Sequence, residues 1–233
     1  VDYSNKTFCE YLDRTDEILW MSERSGWNHL YLIDAKTGAV KNAVTSGEWL
    51  VRGVDRVDPE GRTVEFRAMG RDPKQDPYHI HFARVKLDGS GLTSLTDGDG
   101  THTIAHSPDR KYLVDTYSRV DLPPVHELRK SDDGSLVCTI ETADASALDP
   151  SAGKPPERFT AKGRDGKTDI WGISHRPAKF DPSKKYPVIE QIYAGPHGAH
   201  VPKAWGARGP RDLLDRGFIV VQIDGMGTNW RSK

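Results

Sequence analysis

One side chain whose type and position are compatible with chemistry is the phenol of Tyr193. It ends residues 187–193, which are predicted to form a strand, and a Gly-Pro turn follows at 195–196. The carboxyl end of a strand in an α/β sheet is the edge where ligand sites form. Tyr193 could therefore face a ligand, or it could pack its ring and bond its hydroxyl locally. His197 and His200, in the loop that follows, are interpreted as solvated, with a place at a site entrance as the alternative.

Two other groups of residues contain side chains that can bind a metal ion, but each group has fewer ligands than a metal site requires. His79 and His81 share one face of a predicted strand without a third ligand nearby, whereas a zinc site has three or four. The turn at residues 97–100, Asp-Gly-Asp-Gly, lacks the later glutamate and the spacing of a calcium loop. We therefore expect no metal and no other cofactor.

A serine nucleophile is not evident. The α/β-hydrolases carry theirs on a Gly-x-Ser-x-Gly elbow, followed along the chain by an acid and a histidine. No such elbow occurs in the 233 residues, and Gly89-Ser90-Gly91 lies in a predicted hairpin turn with the wrong spacing.

Residues 13–143 repeat one pattern three times. Each repeat has a polar turn, two strand-like runs, a glycine hairpin turn and a third run. The first runs are residues 17–21, 63–67 and 112–116, and the hairpin glycines are Gly38, Gly89 and Gly134. A period of about 40–50 residues with several strands per unit is typical of a β-propeller blade, so about three blades are predicted. An ordinary antiparallel meander is the alternative.

The second part of the chain changes character after residues 144–157, which have a linker composition. The elements predicted beyond it are strands at 158–161, 170–175 and 187–193, a helix at 207–216 with Leu213 and Leu214 in the core, and a strand at 218–223 buried on both faces. Strand, helix and buried strand in that order indicate a parallel sheet. The predicted fold is therefore all-β propeller blades followed by the N-terminal part of an α/β domain.

The composition excludes several classes of protein. The net charge is −1, which disfavours a nucleic-acid binder, and 36% hydrophobic with 29% charged residues is typical of a globular protein. No apolar stretch approaches the length of a membrane span. Cys9 and Cys138 are expected to be separate, buried thiols, although the sequence cannot show whether they pair.

Three segments together resemble a known family. They are Lys184-Lys185-Tyr186-Pro187-Val188 with Tyr193-Ala194-Gly195-Pro196, then Asp224-Gly225-Met226-Gly227-Thr228, and Ser25-Gly26-Trp27-Asn28-His29-Leu30-Tyr31-Leu32. The chain resembles the prolyl oligopeptidase family of serine peptidases, in particular bacterial members of its dipeptidyl peptidase IV subfamily. The resemblance covers essentially the whole chain.

The resemblance implies a domain organisation and one site residue. Residues 1–143 would be part of the propeller, 144–157 a linker, and 158–233 the truncated start of the α/β-hydrolase domain. Tyr193 matches the tyrosine whose hydroxyl helps to form the oxyanion hole. The catalytic serine, acid and histidine would lie after Lys233, and the acidic residues that bind the substrate's amino terminus would lie before Val1. The resemblance therefore implies that the 233-residue chain alone has no peptidase activity.

The function that the resemblance implies is release of dipeptides from the N-termini of peptide substrates, with a preference for Pro or Ala as the second residue. It also implies a homodimer of the full-length protein and, by analogy with bacterial relatives, a periplasmic or secreted location. Two alternatives stay open. One is a non-enzymatic propeller scaffold with a degenerate hydrolase appendage, and the other is a related acylaminoacyl peptidase or oligopeptidase.

Overall fold

The computed structural model describes residues 7–146, 154–193, 195, 197–206 and 208–230. These residues form four sheets of four strands each, with one short helix among them. The chain divides into two compact units. The first comprises Val1–Thr116, His126–Ile140 and Trp230–Lys233, and the second comprises Tyr117–Val125 and Glu141–Asn229.

Three sheets follow one another in the first part of the chain. The first contains β1 (Cys9–Leu12), β2 (Glu17–Ser22), β3 (His29–Asp34) and β4 (Val40–Ala43). The second contains β5 (Leu50–Asp58), β6 (Thr63–Met69), β7 (His81–Lys86) and β8 (Thr93–Ser94). The third contains β9 (Thr101–His106), β10 (Tyr112–Arg119), β11 (Leu122–Lys130) and β12 (Leu136–Thr142). Neighbouring strands in each sheet are consecutive in the sequence, which is consistent with propeller blades.

Each of these sheets has one more strand than the repeat pattern predicts. The additional strand, β1, β5 or β9, precedes the polar turn of its repeat. In β5 the pairing register shifts after Val51 and again after Val54. An extra residue of this kind breaks the alternation of side chains between the two faces. The period of two that reveals a strand in a sequence is therefore lost there.

Apolar side chains from neighbouring sheets share common clusters. Leu19 and Leu30 of the first sheet pack with Phe66 of the second, and all three side chains are fully buried. Phe82 of the second sheet packs with Leu113 of the third. Burial of side chains this large stabilises the fold by about 1.5–3 kcal/mol each.

Arginine–glutamate pairs join neighbouring sheets at the same point of the repeat. Glu17 lies on the buried face of β2, where alternate residues point inward. Arg62, in the turn before β6, donates a hydrogen bond to Glu17. Arg110, in the turn before β10, donates to Glu65 of β6 in the same way. Each arginine lies 45 residues after its glutamate, so the contact repeats with the sheets.

The hairpin glycines of the second and third sheets lie against the sheet before them. A Cβ at Gly89 would lie 2.9 Å from the carbonyl oxygen of Ala43, and one at Gly134 would lie 2.2 Å from that of Ser94. Both glycines have positive φ, +88° and +72°. Gly38 holds the same position in the first sheet with φ +72°, but no described atom lies within 4 Å of its Cβ position. Glycine at 89 and 134 thus meets both a conformational and a packing requirement.

The fourth sheet mixes parallel and antiparallel pairs. It contains β13 (Glu157–Lys162), β14 (Asp169–His175), β15 (Val188–Ile192) and β16 (Ile219–Ile223), in the order β13-β14-β16-β15. Only the β15–β16 pair is parallel among these described strands. A parallel pair needs a crossover connection, and this one carries the helix α1 (Arg211–Asp215).

Two predictions for this sheet are wrong in part. The helix is shorter than the predicted 207–216, and none of its residues is buried, so Leu213 and Leu214 are not core positions. In β16, predicted to be buried on both faces, only Val220 is fully buried and the other residues are half-buried. A single helix can cover only one face of a sheet, and α1 has five residues, so it covers little of β16.

The two cysteines are unbridged and exposed, so the prediction of separate thiols is confirmed and the prediction of burial is wrong. Cys9 lies on β1 and Cys138 on β12, and each of these strands is at the edge of its sheet. A residue on an edge strand has a neighbouring strand on one side only, which leaves its side chain more accessible.

Candidate functional site

The carboxyl ends of β15 and β16 bring two polar residues to the same edge of the fourth sheet. Ile192 and Ile223 are paired in the parallel register, so Tyr193 and Asp224 leave the sheet side by side. In open α/β sheets this edge is where ligands bind. The site is therefore built from the two residues that follow the parallel pair.

The Tyr193 side chain is open to solvent and held from two sides. It is 46% exposed. A Cβ at Gly195 would lie 2.9 Å from the Tyr193 hydroxyl oxygen, so the absence of a side chain there lets the ring lie over the turn. The ring of His200 lies 5.6 Å away, centroid to centroid, at 48°. Among the described residues, no group forms a hydrogen bond with the Tyr193 hydroxyl, which leaves this donor available to a ligand.

Asp224 has the opposite environment, because its side chain is completely buried. Its Oδ1 atom accepts a hydrogen bond from the backbone N–H of His200 at 2.7 Å. The backbone N–H of Val201 lies 3.2 Å from Oδ2, and the Lys203 ammonium lies 4.0 Å from the same oxygen. A buried carboxylate needs such partners, since desolvation without them is strongly unfavourable. Asp224 thus fixes the loop that follows Tyr193.

Comparison with known proteins identifies the family. Residues 3–124, just over half of the chain, match the family described as "Dipeptidyl peptidase IV (DPP IV) N-terminal region". The chain belongs to the dipeptidyl peptidase IV group of the prolyl oligopeptidase family. The resemblance noted in the sequence is confirmed.

Individual members of the dipeptidyl peptidase IV group match the chain over most of its length. The protein named "Probable dipeptidyl-aminopeptidase B" from Emericella nidulans is 30% identical over 213 residues, which cover 88% of this chain and 23% of that protein. Its namesake from Aspergillus oryzae is 30% identical over 215 residues, covering 89% of this chain and 23% of the relative. The chain therefore spans less than a quarter of the length of these relatives.

A solved dipeptidyl peptidase 4 has a similar fold. The crystal structure of the Porphyromonas gingivalis enzyme superposes with a TM-score of 0.75 at 27% identity. The alignment covers 97% of this chain and 31% of that one. The fold of this chain is thus similar to that of a solved dipeptidyl peptidase.

The structure also shows the surroundings of the serine and the histidines that the sequence analysis considered as a nucleophile or as metal ligands. Ser90 lies in the turn after β7, where its hydroxyl donates to Asp88 at 2.7 Å. His79 is buried, and the His81 ring lies 4.6 Å from that of His102. In the part of the chain that the structure describes, no group of three or more His, Cys, Asp or Glu side chains is arranged to hold a metal ion.

A second polar region lies in the first unit, around a cavity of about 450 Å³. Its carboxylates are paired with guanidinium groups: Asp55 lies 3.0 Å from Arg67, and Glu65 accepts from Arg110. Burial raises the pKa of Asp55, and the charge of Arg67 opposes this rise. Both carboxylates of this lining therefore have a guanidinium partner, as in a structural ion-pair network.

The sequence missed the role of Asp224, which it used only as part of a turn motif. The signal available was an acidic residue directly after a predicted parallel strand, at the edge where Tyr193 also lies. His200 was interpreted as a solvated loop residue. It is exposed, but its ring also contacts Tyr193. In the part of the chain that the structure describes, none of the helical residues form a segment with the length and hydrophobicity of a membrane span.

Proposed function

We propose that this chain is a segment of a serine exopeptidase that releases dipeptides from peptide N-termini, with Tyr193 as one donor of its oxyanion hole. Acyl transfer places negative charge on the scissile carbonyl oxygen, and a fixed O–H donor stabilises that charge. The observation that carries the proposal is the Tyr193 hydroxyl itself. It is exposed, without a partner among the described residues, and lies at the carboxyl end of a parallel strand.

The proposal assigns the parts of the chain to two domains. Residues 1–143 belong to the propeller, 144–157 to a linker, and 158–233 to the start of the α/β-hydrolase domain. Support for the last assignment comes from the parallel β15–β16 pair and the helical crossover between its strands. Residues 147–153 of the linker lie outside the described part of the chain.

The nucleophile belongs to the remainder of the full-length protein in this proposal, because the chain has no Gly-x-Ser-x-Gly elbow. The relatives named above are more than four times as long as the segment that matches. The 233-residue chain by itself is proposed to have no peptidase activity, since the effects that survive loss of a whole triad are small.

The test is a peptidase assay on the full-length protein. Its substrates are dipeptidyl p-nitroanilides with Pro or Ala as the second residue, and the matched controls are the same compounds with an acetylated amino terminus. We expect turnover of the free-amine substrates, little turnover of the acetylated ones, and complete loss after a serine-directed fluorophosphonate. Equal turnover of both sets would contradict an exopeptidase, and resistance to the inhibitor would contradict a serine nucleophile.

A further inference from the structure

We propose that Asp224 is a positioning residue for the Tyr193 hydroxyl and acts on it through the loop that carries His200. The inference rests on the proposed function, because it concerns the reaction in which Tyr193 takes part. It adds two residues, Asp224 and His200, that do not themselves touch the reacting atoms.

The first step of the argument is the anchoring of the loop. Asp224 is completely buried directly after β16, so its carboxylate has a fixed position relative to the sheet. It accepts the N–H of His200 at 2.7 Å and lies within hydrogen-bond distance of the N–H of Val201. Val201 itself is buried and packs with Ile173 of β14. The loop is therefore held by hydrogen bonds and by packing at the same point.

The second step is the contact between this loop and the phenol. The side chain of His200 extends from the anchored backbone and lies with its ring 5.6 Å from the ring of Tyr193. The turn at Gly195 lies close to the same ring, where a Cβ would be 2.9 Å from the hydroxyl oxygen. Two neighbours thus restrict the rotation of a side chain that is otherwise open to solvent.

The third step is the precision that the chemistry demands. A donor in an oxyanion hole must lie about 2.7–3.1 Å from the position of the developing charge. An exposed tyrosine without a partner for its hydroxyl samples several rotamers unless its ring is confined. Displacement of a catalytic group by about 1 Å can lower a rate by about 100-fold. Asp224 fixes His200, and His200 confines the ring of Tyr193. We therefore expect loss of either residue to lower kcat rather than to weaken substrate binding.

The experiment is a double-mutant cycle in the full-length protein, with a dipeptidyl p-nitroanilide as substrate. Asp224→Asn keeps the size of the side chain but replaces Oδ2 with an NH₂ group, which cannot accept a hydrogen bond. The 3.2 Å contact of the Val201 N–H with Oδ2 is then lost, and only the longer 3.3 Å contact with Oδ1 remains. We expect Asp224→Asn to lower kcat about tenfold or more in the otherwise unchanged protein, with little effect on KM. In a Tyr193→Phe background the same substitution should change kcat by less than about twofold, because the hydroxyl to be positioned is gone.

His200 supplies a second cycle that does not depend on the folding of the Asp224 variant. His200→Ala removes the ring beside Tyr193 at an exposed position and should show the same pattern in the two backgrounds. His200→Phe keeps a flat ring and should restore most of kcat. Ile170→Val, a mild loss of packing within β14, is the matched control for general destabilisation and should leave kcat unchanged.

The outcomes separate the two proposals. If Tyr193→Phe alone leaves kcat unchanged, the proposed role of the phenol fails and the positioning role fails with it. If Tyr193→Phe lowers kcat but Asp224→Asn and His200→Ala lower it by the same factor in both backgrounds, only the positioning role is overturned. Unchanged kcat in a folded Asp224→Asn variant would also overturn it.

Discussion

The Gly134→Ala substitution tests whether the hairpin turns hold neighbouring sheets together. Gly134 has φ +72°, and a Cβ added there would lie 2.2 Å from the carbonyl oxygen of Ser94 and 2.9 Å from the Cα of Leu95. Both neighbours are backbone atoms, at the end of β8 and directly after it, and cannot rotate away as a side chain could. Gly38 has the same φ at the same position of the repeat, but nothing that the structure describes lies within 4 Å of its Cβ position. Gly38→Ala is therefore a matched control.

The difference between the two variants can be estimated from separate physical effects. Alanine in the left-handed region is unfavourable by about 1–2 kcal/mol, and both variants share this effect. Overpacking adds about 1–3 kcal/mol where the surroundings must move, and only Gly134→Ala incurs it. We expect Gly38→Ala to lower the free energy of unfolding by about 1–2 kcal/mol and Gly134→Ala to lower it by about 2–5 kcal/mol.

The assay is urea unfolding of the purified chain, followed by tryptophan fluorescence, with the slope of the transition compared between variants. An unchanged slope allows the shift in midpoint to be read as a change in stability. Equal destabilisation by the two substitutions, within about 0.5 kcal/mol, would show that the close approach of Gly134 to Ser94 does not occur in solution.

Two further predictions concern pH. Burial raises the pKa of Glu17, but hydrogen bonds from Arg62 and Lys41 outweigh it and lower the pKa to about 2. The stabilisation that results is present above about pH 4.5 and is lost as the pH falls towards 2, by up to about 3 kcal/mol. In urea unfolding at several pH values, Glu17→Gln should abolish this loss. A variant with the pH profile of the unchanged protein would refute the pairing. Burial, helped by the charge of His102, lowers the pKa of His81 to about 3. The His81 imidazole therefore binds a proton less readily in the folded state than in the unfolded chain. As the pH decreases from about 6.5, the free energy of unfolding should decrease by up to about 1.4 kcal/mol per pH unit. His81→Phe should reduce that slope between pH 6.5 and 4, and a slope equal to that of the unchanged protein would contradict this origin.

The repeat and its turns could be predicted because their signals are local. The runs at 17–21, 63–67 and 112–116 lie in β2, β6 and β10, and the three hairpin glycines have the positive φ that their turns require. Each signal depends on neighbours within about ten residues, so it can be recognised without knowledge of the tertiary structure. The strands that the pattern missed, such as β5, are those in which bulges break the alternation.

Burial in the fourth sheet was predicted less well because it depends on what covers an element. The apolar run at 218–223 forms β16, but only Val220 is fully buried. Leu213 and Leu214 have the spacing of core residues, yet α1 is a single short turn without a buried residue. Apolar sequence predicts that a residue can be buried, whereas the extent of burial follows from the length and position of the neighbouring elements.

The sequence allowed one residue of the candidate site, Tyr193, to be predicted, but not the residues that hold the neighbouring loop in place. Tyr193 could be placed at the end of a strand because apolar strands and Gly-Pro turns have recognisable composition. The hydrogen bond from the His200 N–H to Asp224 joins residues 24 positions apart, and the helix α1 and the strand β16 lie between them. No pattern in the sequence brings those atoms together, so only the structure reveals that a buried carboxylate fixes the loop beside the phenol.

The measurement that tests the account most directly is kcat of the full-length Tyr193→Phe variant with a dipeptidyl p-nitroanilide. Tyr112→Phe, at another exposed tyrosine, is the control for loss of a phenol hydroxyl. Loss of one oxyanion donor predicts a fall in kcat of about 100- to 1,000-fold, with KM nearly unchanged and with full reactivity towards a serine-directed inhibitor. If kcat of Tyr193→Phe instead equals that of Tyr112→Phe, the phenol does not stabilise the transition state and the central claim is wrong.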